Sequence, residues 1–249
     1  MGVMRERLDQ ALVSRGLVES RARAQALVMA GRVFSGERRL DKAGMTIAPD
    51  MPLEVRGQDH PWVSRGGLKL VHALDAFAID PSGWTCLDVG ASTGGFTDVL
   101  LSRGAARVFA VDVGRGQLAW RLREDERVIV REGVNARYLT QEVVPEPIDL
   151  LVCDASFIGL RTLLPAPMAL VAEGGAMVVL IKPQFEAGPD RVGKGGVVRD
   201  SSIHDEVCAT IAAWVDEQPG WRTCGILPSP ITGPQGNREF LLHAQKSKG

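Results

Sequence analysis

Asp88-Val89-Gly90-Ala91-Ser92-Thr93-Gly94-Gly95-Phe96-Thr97 joins an apolar run, 84–89, to a helical pattern over 96–102. A strand, a glycine-rich turn and a helix in that order open a nucleotide-binding unit of an α/β sheet. Gly90 can turn the chain tightly, and Gly94 and Gly95 let backbone come close to a ligand. Asp112 stands 24 residues after Asp88, at the end of the next apolar run. A carboxylate there can accept both ribose hydroxyls of an adenosine. A dinucleotide wants glycine at the middle position, where Ser92 stands. S-adenosylmethionine carries no phosphate, and proteins that bind it favour an acid two residues before the first glycine, as Asp88 precedes Gly90. The expected cofactor is therefore S-adenosylmethionine, held by Asp88, Gly90, Ala91, Ser92, Gly94, Gly95, Phe96 and Asp112. A dinucleotide and a purely structural turn remain alternatives.

Further apolar runs at 107–111, 128–131, 148–153, 175–181, 223–228 and 239–244 predict strands. Helical patterns cover 69–77 and 205–216. The alternation predicts a largely parallel, Rossmann-like sheet with helices on both faces. In such sheets ligands sit beyond the C-terminal strand ends, where Asp112, Asp154 and Lys182 fall. Asn135, after the third strand, is either a cofactor contact or a loop cap.

The first 56 residues read as a separate small α+β domain. Helices are expected over 6–15 and 21–30, the second capped by Ser20, followed by a hairpin around Gly36 and a closing strand at 53–55. Residues 57–63 form a polar, breaker-rich linker, leaving 64–249 for the larger domain. Residues 1–40 carry eight arginines against four acids, on a chain with net charge −1. That asymmetry predicts an anion-facing module. Arg5, Arg7, Arg21, Arg23 and Lys42 are the candidate contacts, with Arg21 and Arg23 expected to be solvated.

The composition, 45% hydrophobic and 24% charged over 249 residues, is that of a globular protein. No apolar run reaches the roughly 18 residues of a membrane helix, and the first residues lack an apolar signal core. These observations point to a cytoplasmic protein without a membrane partner. Cys86, Cys153, Cys208 and Cys224 are widely spaced. That spacing predicts buried reduced thiols and no metal site.

Four charges abut apolar elements: Lys69, Asp154, Lys182 and Glu239. Buried charges need partners. Their order resembles the Lys-Asp-Lys-Glu tetrad of FtsJ-like ribose 2′-O-methyltransferases. Val63-Ser64-Arg65-Gly66-Gly67-Leu68-Lys69-Leu70, Cys153-Asp154-Ala155-Ser156-Phe157, Lys182-Pro183-Gln184-Phe185-Glu186 and Lys194-Gly195-Gly196-Val197-Val198-Arg199-Asp200 resemble the TlyA (hemolysin A) family of ribosomal RNA methyltransferases. The resemblance spans nearly the whole chain. The N-terminal part is similar to a small RNA-binding domain of a small-subunit ribosomal protein.

The resemblance implies methyl transfer from S-adenosylmethionine to a cytidine ribose 2′-hydroxyl in ribosomal RNA or ribosomal subunits. It makes Lys69, Asp154, Lys182 and Glu239 the catalytic residues, with Asp154 also near the cofactor and Arg65 near RNA. Lys182 would act as a base or orient the hydroxyl, with Lys69 supplying a neighbouring ammonium. The competing readings are a noncatalytic RNA-binding assembly factor, a membrane-active hemolysin and a nicotinamide-dependent dehydrogenase.

Overall fold

The computed structural model describes residues 5–18, 20–56 and 60–248. Residues 1–4, read above for a signal, Glu19, counted among the N-terminal acids, and residues 57–59 of the expected linker lie outside the described residues.

The N-terminal part consists of β1 (Glu6–Arg7), α1 (Leu8–Ser14), α2 (Arg21–Met29), β2 (Val33–Ser35), β3 (Arg38–Arg39), β4 (Thr46–Ile47) and β5 (Glu54–Val55). Ser20 caps α2 by accepting a hydrogen bond from the Arg23 amide at 3.2 Å. Leu8, Ala11 and Leu12 of α1 and Ala24, Leu27 and Val28 of α2 share one core with Val33, Leu40 and Ile47. The expected hairpin is β2–β3. The expected closing strand at 53–55 is β5, which pairs with β2, whereas the pairing of β1 with β4 lies outside the expected fold and takes Glu6–Arg7 out of the helix expected over 6–15. Strands of two residues carry no alternation for a sequence pattern to reveal.

The larger part contains α3 (Gly66–Ala76), β6 (Thr85–Val89), α4 (Gly95–Ser102), β7 (Arg107–Asp112), α5 (Trp120–Arg123), β8 (Val128–Glu132) and β9 (Ile148–Cys153). It continues with α6 (Leu160–Leu163), α7 (Pro165–Ala169), β10 (Val171–Ile181), α8 (Pro183–Glu186), α9 (Ser201–Asp216), β11 (Trp221–Pro228) and β12 (Phe240–Lys246). The seven strands lie in the order β11-β12-β10-β9-β6-β7-β8. The run from β10 to β8 is parallel, and β12 is antiparallel to both of its neighbours. One face buries Leu70, Leu74, Val99 and Leu100 of α3 and α4, and the other packs Val207, Ile211 and Val215 of α9. The loops beyond the C-terminal strand ends, together with the first turns of α3 and α4, build the site.

Element boundaries differ from expectation where glycine or a cap intervenes. Helix α3 starts at Gly66, so Lys69 sits one turn inside it rather than opening it. Strand β10 starts at Val171, four residues before Gly175, with irregular pairing between Val171 and Ala176. Helix α9 starts at Ser201, where the Asp200 carboxylate accepts from the Ser202 amide at 2.9 Å. Among the described residues, no helix is long and apolar enough to cross a membrane. All four cysteines are free thiols. Only Cys86 and Cys153 are buried; Cys208 is half-buried and Cys224 exposed, which corrects the expectation that all four would be.

Gly94 has φ +95, and a Cβ there would stand 2.3 Å from Leu122 Cδ1 and 2.7 Å from Leu118 Cδ1. Its bare Cα is thus required by packing under α4. Gly94→Ala combines left-handed strain with overpacking, and should destabilise the fold by about 2 kcal/mol or more. A urea-unfolding midpoint equal to wild type would contradict this.

Candidate active site

The glycine turn places two adjoining clefts beyond the sheet's C-terminal edge. The first, about 580 Å³, runs past Gly90, Ser92, Asp112, Gln117 and Asn135 to the loop 154–158. Asp112 is pre-oriented there: its Oδ2 accepts from the Ser92 amide at 2.8 Å and its Oδ1 from the Gly114 amide at 2.7 Å. Asn135 caps a short 3₁₀ turn through the Arg137 amide at 3.1 Å while also lining the cleft. The second cleft, about 270 Å³, is lined by Arg65, Lys69, Asp88, Gly95, Phe96, Lys182 and Glu239, among others. Gly90, Ser92, Asp154 and Ser156 border both.

The structure brings together the four charges singled out in the sequence. Asp154 follows β9, Lys182 follows β10, Glu239 precedes β12 and Lys69 enters from α3. Lys69 Nζ donates to Glu239 Oε2 at 2.7 Å and to Asp154 Oδ2 at 3.2 Å. Lys182 Nζ lies 2.6 Å from Asp154 Oδ1, and it donates to Ser156 Oγ at 2.9 Å and to the Asp154 carbonyl at 3.1 Å. Asp154 thus holds one ammonium on each oxygen. Its side chain is 21% exposed, against 9% for Lys69, 7% for Lys182 and 0% for Glu239. Burial alone would push the Lys69 amine down, but Asp154 and Glu239 outweigh it and hold the amine above its ordinary value.

Asp88 sits beneath the glycine turn, fully buried. Its Oδ2 accepts from the Thr97 amide at 2.9 Å and the Thr97 hydroxyl at 2.7 Å, tying β6 to the start of α4. No described residue donates to its buried Oδ1. Burial pushes the carboxyl up to about 7, against the two Thr97 bonds. A cationic group in the second cleft would satisfy that oxygen and restore the charge.

Of the candidate cofactor residues, Asp88, Gly90, Ala91, Ser92, Gly95, Phe96, Asp112, Asn135 and Asp154 line the clefts. Gly94 lines neither, and its bare Cα serves the core instead. Gly95 is needed for close approach: a Cβ there would stand 2.3 Å from Ser64 Oγ. Arg65 lines the second cleft. Arg5 and Lys42 are exposed and Arg23 is half-buried. Arg7 and Arg21 are not merely solvated, because both pair with the buried carboxylate of Asp9. Ser156 and Thr97 were missed as site residues. Each is a short hydroxyl whose only signal was its place two residues after Asp154 or one after Phe96. Phe157 was missed too: it has φ +66 and is 90% exposed beside the tetrad.

The FtsJ-like methyltransferase family matches residues 62–246, and the S4 domain family matches residues 6–52. The chain belongs to the FtsJ-like methyltransferases. YqxC of Bacillus subtilis is 48% identical over 240 residues, covering 96% of this chain and 85% of that protein. TlyA of Mycobacterium tuberculosis, a 16S/23S rRNA (cytidine-2′-O)-methyltransferase, is 48% identical over 239 residues, covering 96% of this chain and 89% of that one. A solved structure from Streptococcus thermophilus that carries the hemolysin name is 43% identical. It superposes with a TM-score of 0.78 over 99% of this chain and 90% of its own. The FtsJ-like part carries both clefts and the tetrad, and the S4 domain carries the arginine-rich stretch.

The burial of Asp88 has a pH consequence. The folded acid titrates at about 7, above its ordinary value of 3.8. Between those values the native state keeps a proton that the unfolded chain has lost. Stability therefore falls as pH rises through that window, by up to about 1.4 kcal/mol per pH unit. Asp88→Asn keeps the acceptor for Thr97 and removes the titration. Unfolding free energies measured from about pH 4 to 7 should have a flatter slope in Asp88→Asn; equal slopes would contradict the assignment.

Proposed function

We propose that this FtsJ-like methyltransferase transfers a methyl group from S-adenosylmethionine to the ribose 2′-hydroxyl of a cytidine in ribosomal RNA. The observation that carries the reading is the Lys69–Asp154–Lys182–Glu239 cluster, which lines the second cleft and reaches the first through Asp154. The rRNA activity in the name of the M. tuberculosis relative supports the substrate class. An rRNA substrate implies a cytoplasmic place of work.

The residues present fit S-adenosylmethionine. Asp112, held by two backbone amides, would take the ribose hydroxyls. Asn135 would flank the adenine end, with Gly90, Ala91, Ser92, Gly95 and Phe96 shaping the passage toward Asp88. The unpartnered Asp88 Oδ1 suits the α-ammonium of the methionine part. The chemistry the bound cofactor supplies is an electrophilic sulfonium methyl.

The chain's own residues handle the acceptor. A 2′-hydroxyl is a poor nucleophile and must give up its proton as it attacks. Lys182, fixed by Asp154 and Ser156, orients that hydroxyl, and the proton leaves into the Lys182–Asp154 pair. Lys69 stays an ammonium and locks Asp154 and Glu239 in place. Much of the rate then comes from orientation, since effective molarities reach about 10⁵ M or more. Arg65 at the rim of the second cleft, Arg5, and Arg7, Arg21, Arg23 and Lys42 of the S4 domain would take RNA phosphates. Such contacts position an RNA without reading its bases.

Mapping 2′-O-methyl groups on 16S and 23S rRNA after incubation with purified protein and cofactor tests the reading. New marks on cytidine riboses are expected, and no ribose mark on either RNA would overturn it. Lys182→Ala should lower methyl transfer by at least about 10²-fold with an unchanged circular dichroism spectrum. Near-wild-type turnover would remove Lys182 from its role. Asp112→Ala should weaken cofactor binding by about 1–3 kcal/mol in calorimetry, and unchanged affinity would contradict its place at the ribose.

A further inference from the structure

Asp9 is a fully buried carboxylate in an arginine-rich surface. It sits in the first turn of α1, where an acid usually faces solvent and complements the helix dipole. Here it turns inward. Arg7 grips it with two bonds, Nε to Oδ1 at 3.0 Å and Nη2 to Oδ2 at 3.1 Å. Arg21, from the first turn of α2, donates Nε to Oδ2 at 2.9 Å, and Gln25 donates Nε2 to the same oxygen at 3.0 Å. Four side-chain donors thus converge on one carboxylate. These hydrogen bonds, that of Arg7 foremost, hold the Asp9 carboxyl well below the usual carboxylate range.

The cluster also ties in the turn that carries Lys42. The Asp9 amide donates to the Ala43 carbonyl at 3.0 Å. A Cβ on Gly44 would lie 3.2 Å from Arg7 Nη2. The carboxylate therefore registers β1, α1 and α2 against each other, and the backbone amide of the same residue adds the 42–44 turn. The two arginines nonetheless stay open to solvent, with side-chain exposures of 43% and 53%. A guanidinium has five N–H donors. Arg7 spends two on Asp9 and Arg21 spends one, so the remaining donors stay available to a second anion.

From this geometry we infer that Asp9 is a positioning residue for the RNA-binding face, holding Arg7 and Arg21 in the arrangement that receives the RNA backbone. The inference rests on the RNA-binding reading of the S4 domain given above. Its physical basis is preorganisation. A flexible arginine must be ordered when it grips a phosphate, and each such side chain otherwise weakens binding. Asp9 has already ordered two of them in the folded protein.

Simple electrostatics and this inference predict opposite signs. Asp9→Asn removes a negative charge from a basic surface. By charge alone it should tighten RNA binding and steepen the salt dependence by about 0.7–0.9 log units per log of salt. If Asp9 positions the arginines, the same change should weaken binding about threefold to tenfold and flatten the salt slope.

The experiment measures affinity of the full chain for deproteinised 16S and 23S rRNA across a salt titration. It compares wild type, Asp9→Asn, Arg7→Ala with Arg21→Ala, and the triple variant. Cofactor affinity serves as a control and should stay at the wild-type value in Asp9→Asn. The unfolding midpoint should fall, because a buried carboxylate loses its charge, and binding is measured where the variant is still folded. Adding Asp9→Asn to the arginine double variant should cause no further loss, because Asp9 acts through those arginines. Tighter binding or a steeper slope in Asp9→Asn overturns the inference, as does a further loss in the triple variant, which would mark a purely structural role. Should Asp9→Asn fold poorly, Arg21→Lys on the exposed face keeps the charge and loses the planar fork. It should weaken binding, and unchanged affinity would overturn the inference. If wild type binds neither RNA, the RNA-binding reading itself fails. If the double variant binds like wild type, these two arginines are not the face and the inference falls with them.

Discussion

Asp154 holds an ammonium group on each of its two oxygens, and the arrangement of the site follows from that sharing. Lys69 reaches Oδ2 from α3 and Lys182 reaches Oδ1 from the end of β10. Two buried cations cannot approach each other without a counter-charge between them, and buried charges without partners are costly. Glu239 supplies the second carboxylate through Lys69. The four residues come from four separate elements, so the ion cluster pins α3, β9, β10 and β12 together at one edge of the sheet. Removing any member leaves a charge of the others unbalanced. The cluster is therefore as much a constraint on the fold as a feature of its surface.

The sheet explains why this cluster can face a ligand. Five strands run parallel, and their C-terminal ends release Asp88, Asp112, Asp154 and Lys182 toward a single edge. The glycine turn keeps that edge open. Gly95 lets α4 lie close against the segment before α3, and Gly94 lets the turn settle over Leu118 and Leu122. The S4 domain uses a similar device at smaller scale. There Asp9 is the buried carboxylate and Arg7 and Arg21 are the cations that share it. The difference is exposure. The tetrad lysines are almost buried, whereas the arginines keep about half of their surface in water, as suits contact with a large, hydrated anion.

Much of this was legible in the sequence because it rests on periodicity and on charges that interrupt it. The apolar runs before Asp112, Asp154 and Lys182 are long enough to mark strands, and a charge at the end of each marks the edge. The glycine turn was legible because its neighbours are so apolar. What stayed hidden depended on contacts between distant residues. Gly94 reads like a ligand-facing glycine, yet what requires it is the packing of Leu118 and Leu122. Asp9 counts in the sequence only as one of four acids among eight arginines, since nothing local predicts that arginines from two elements will close over it. The β1–β4 pair is too short for any pattern. The start of α3 was hidden because Gly66 and Gly67 look like breakers, although they begin a helix here.

The central claim is that the Asp154 carboxylate organises the transfer centre by balancing Lys69 and Lys182. Single-turnover methyl transfer to ribosomal RNA, measured with Asp154→Asn at saturating cofactor and RNA, tests it most directly. The substitution keeps size and shape and removes the charge that both amines share. The account predicts a fall of about 10²-fold or more in the single-turnover rate while the protein stays folded. A single-turnover rate close to that of the wild type would contradict it.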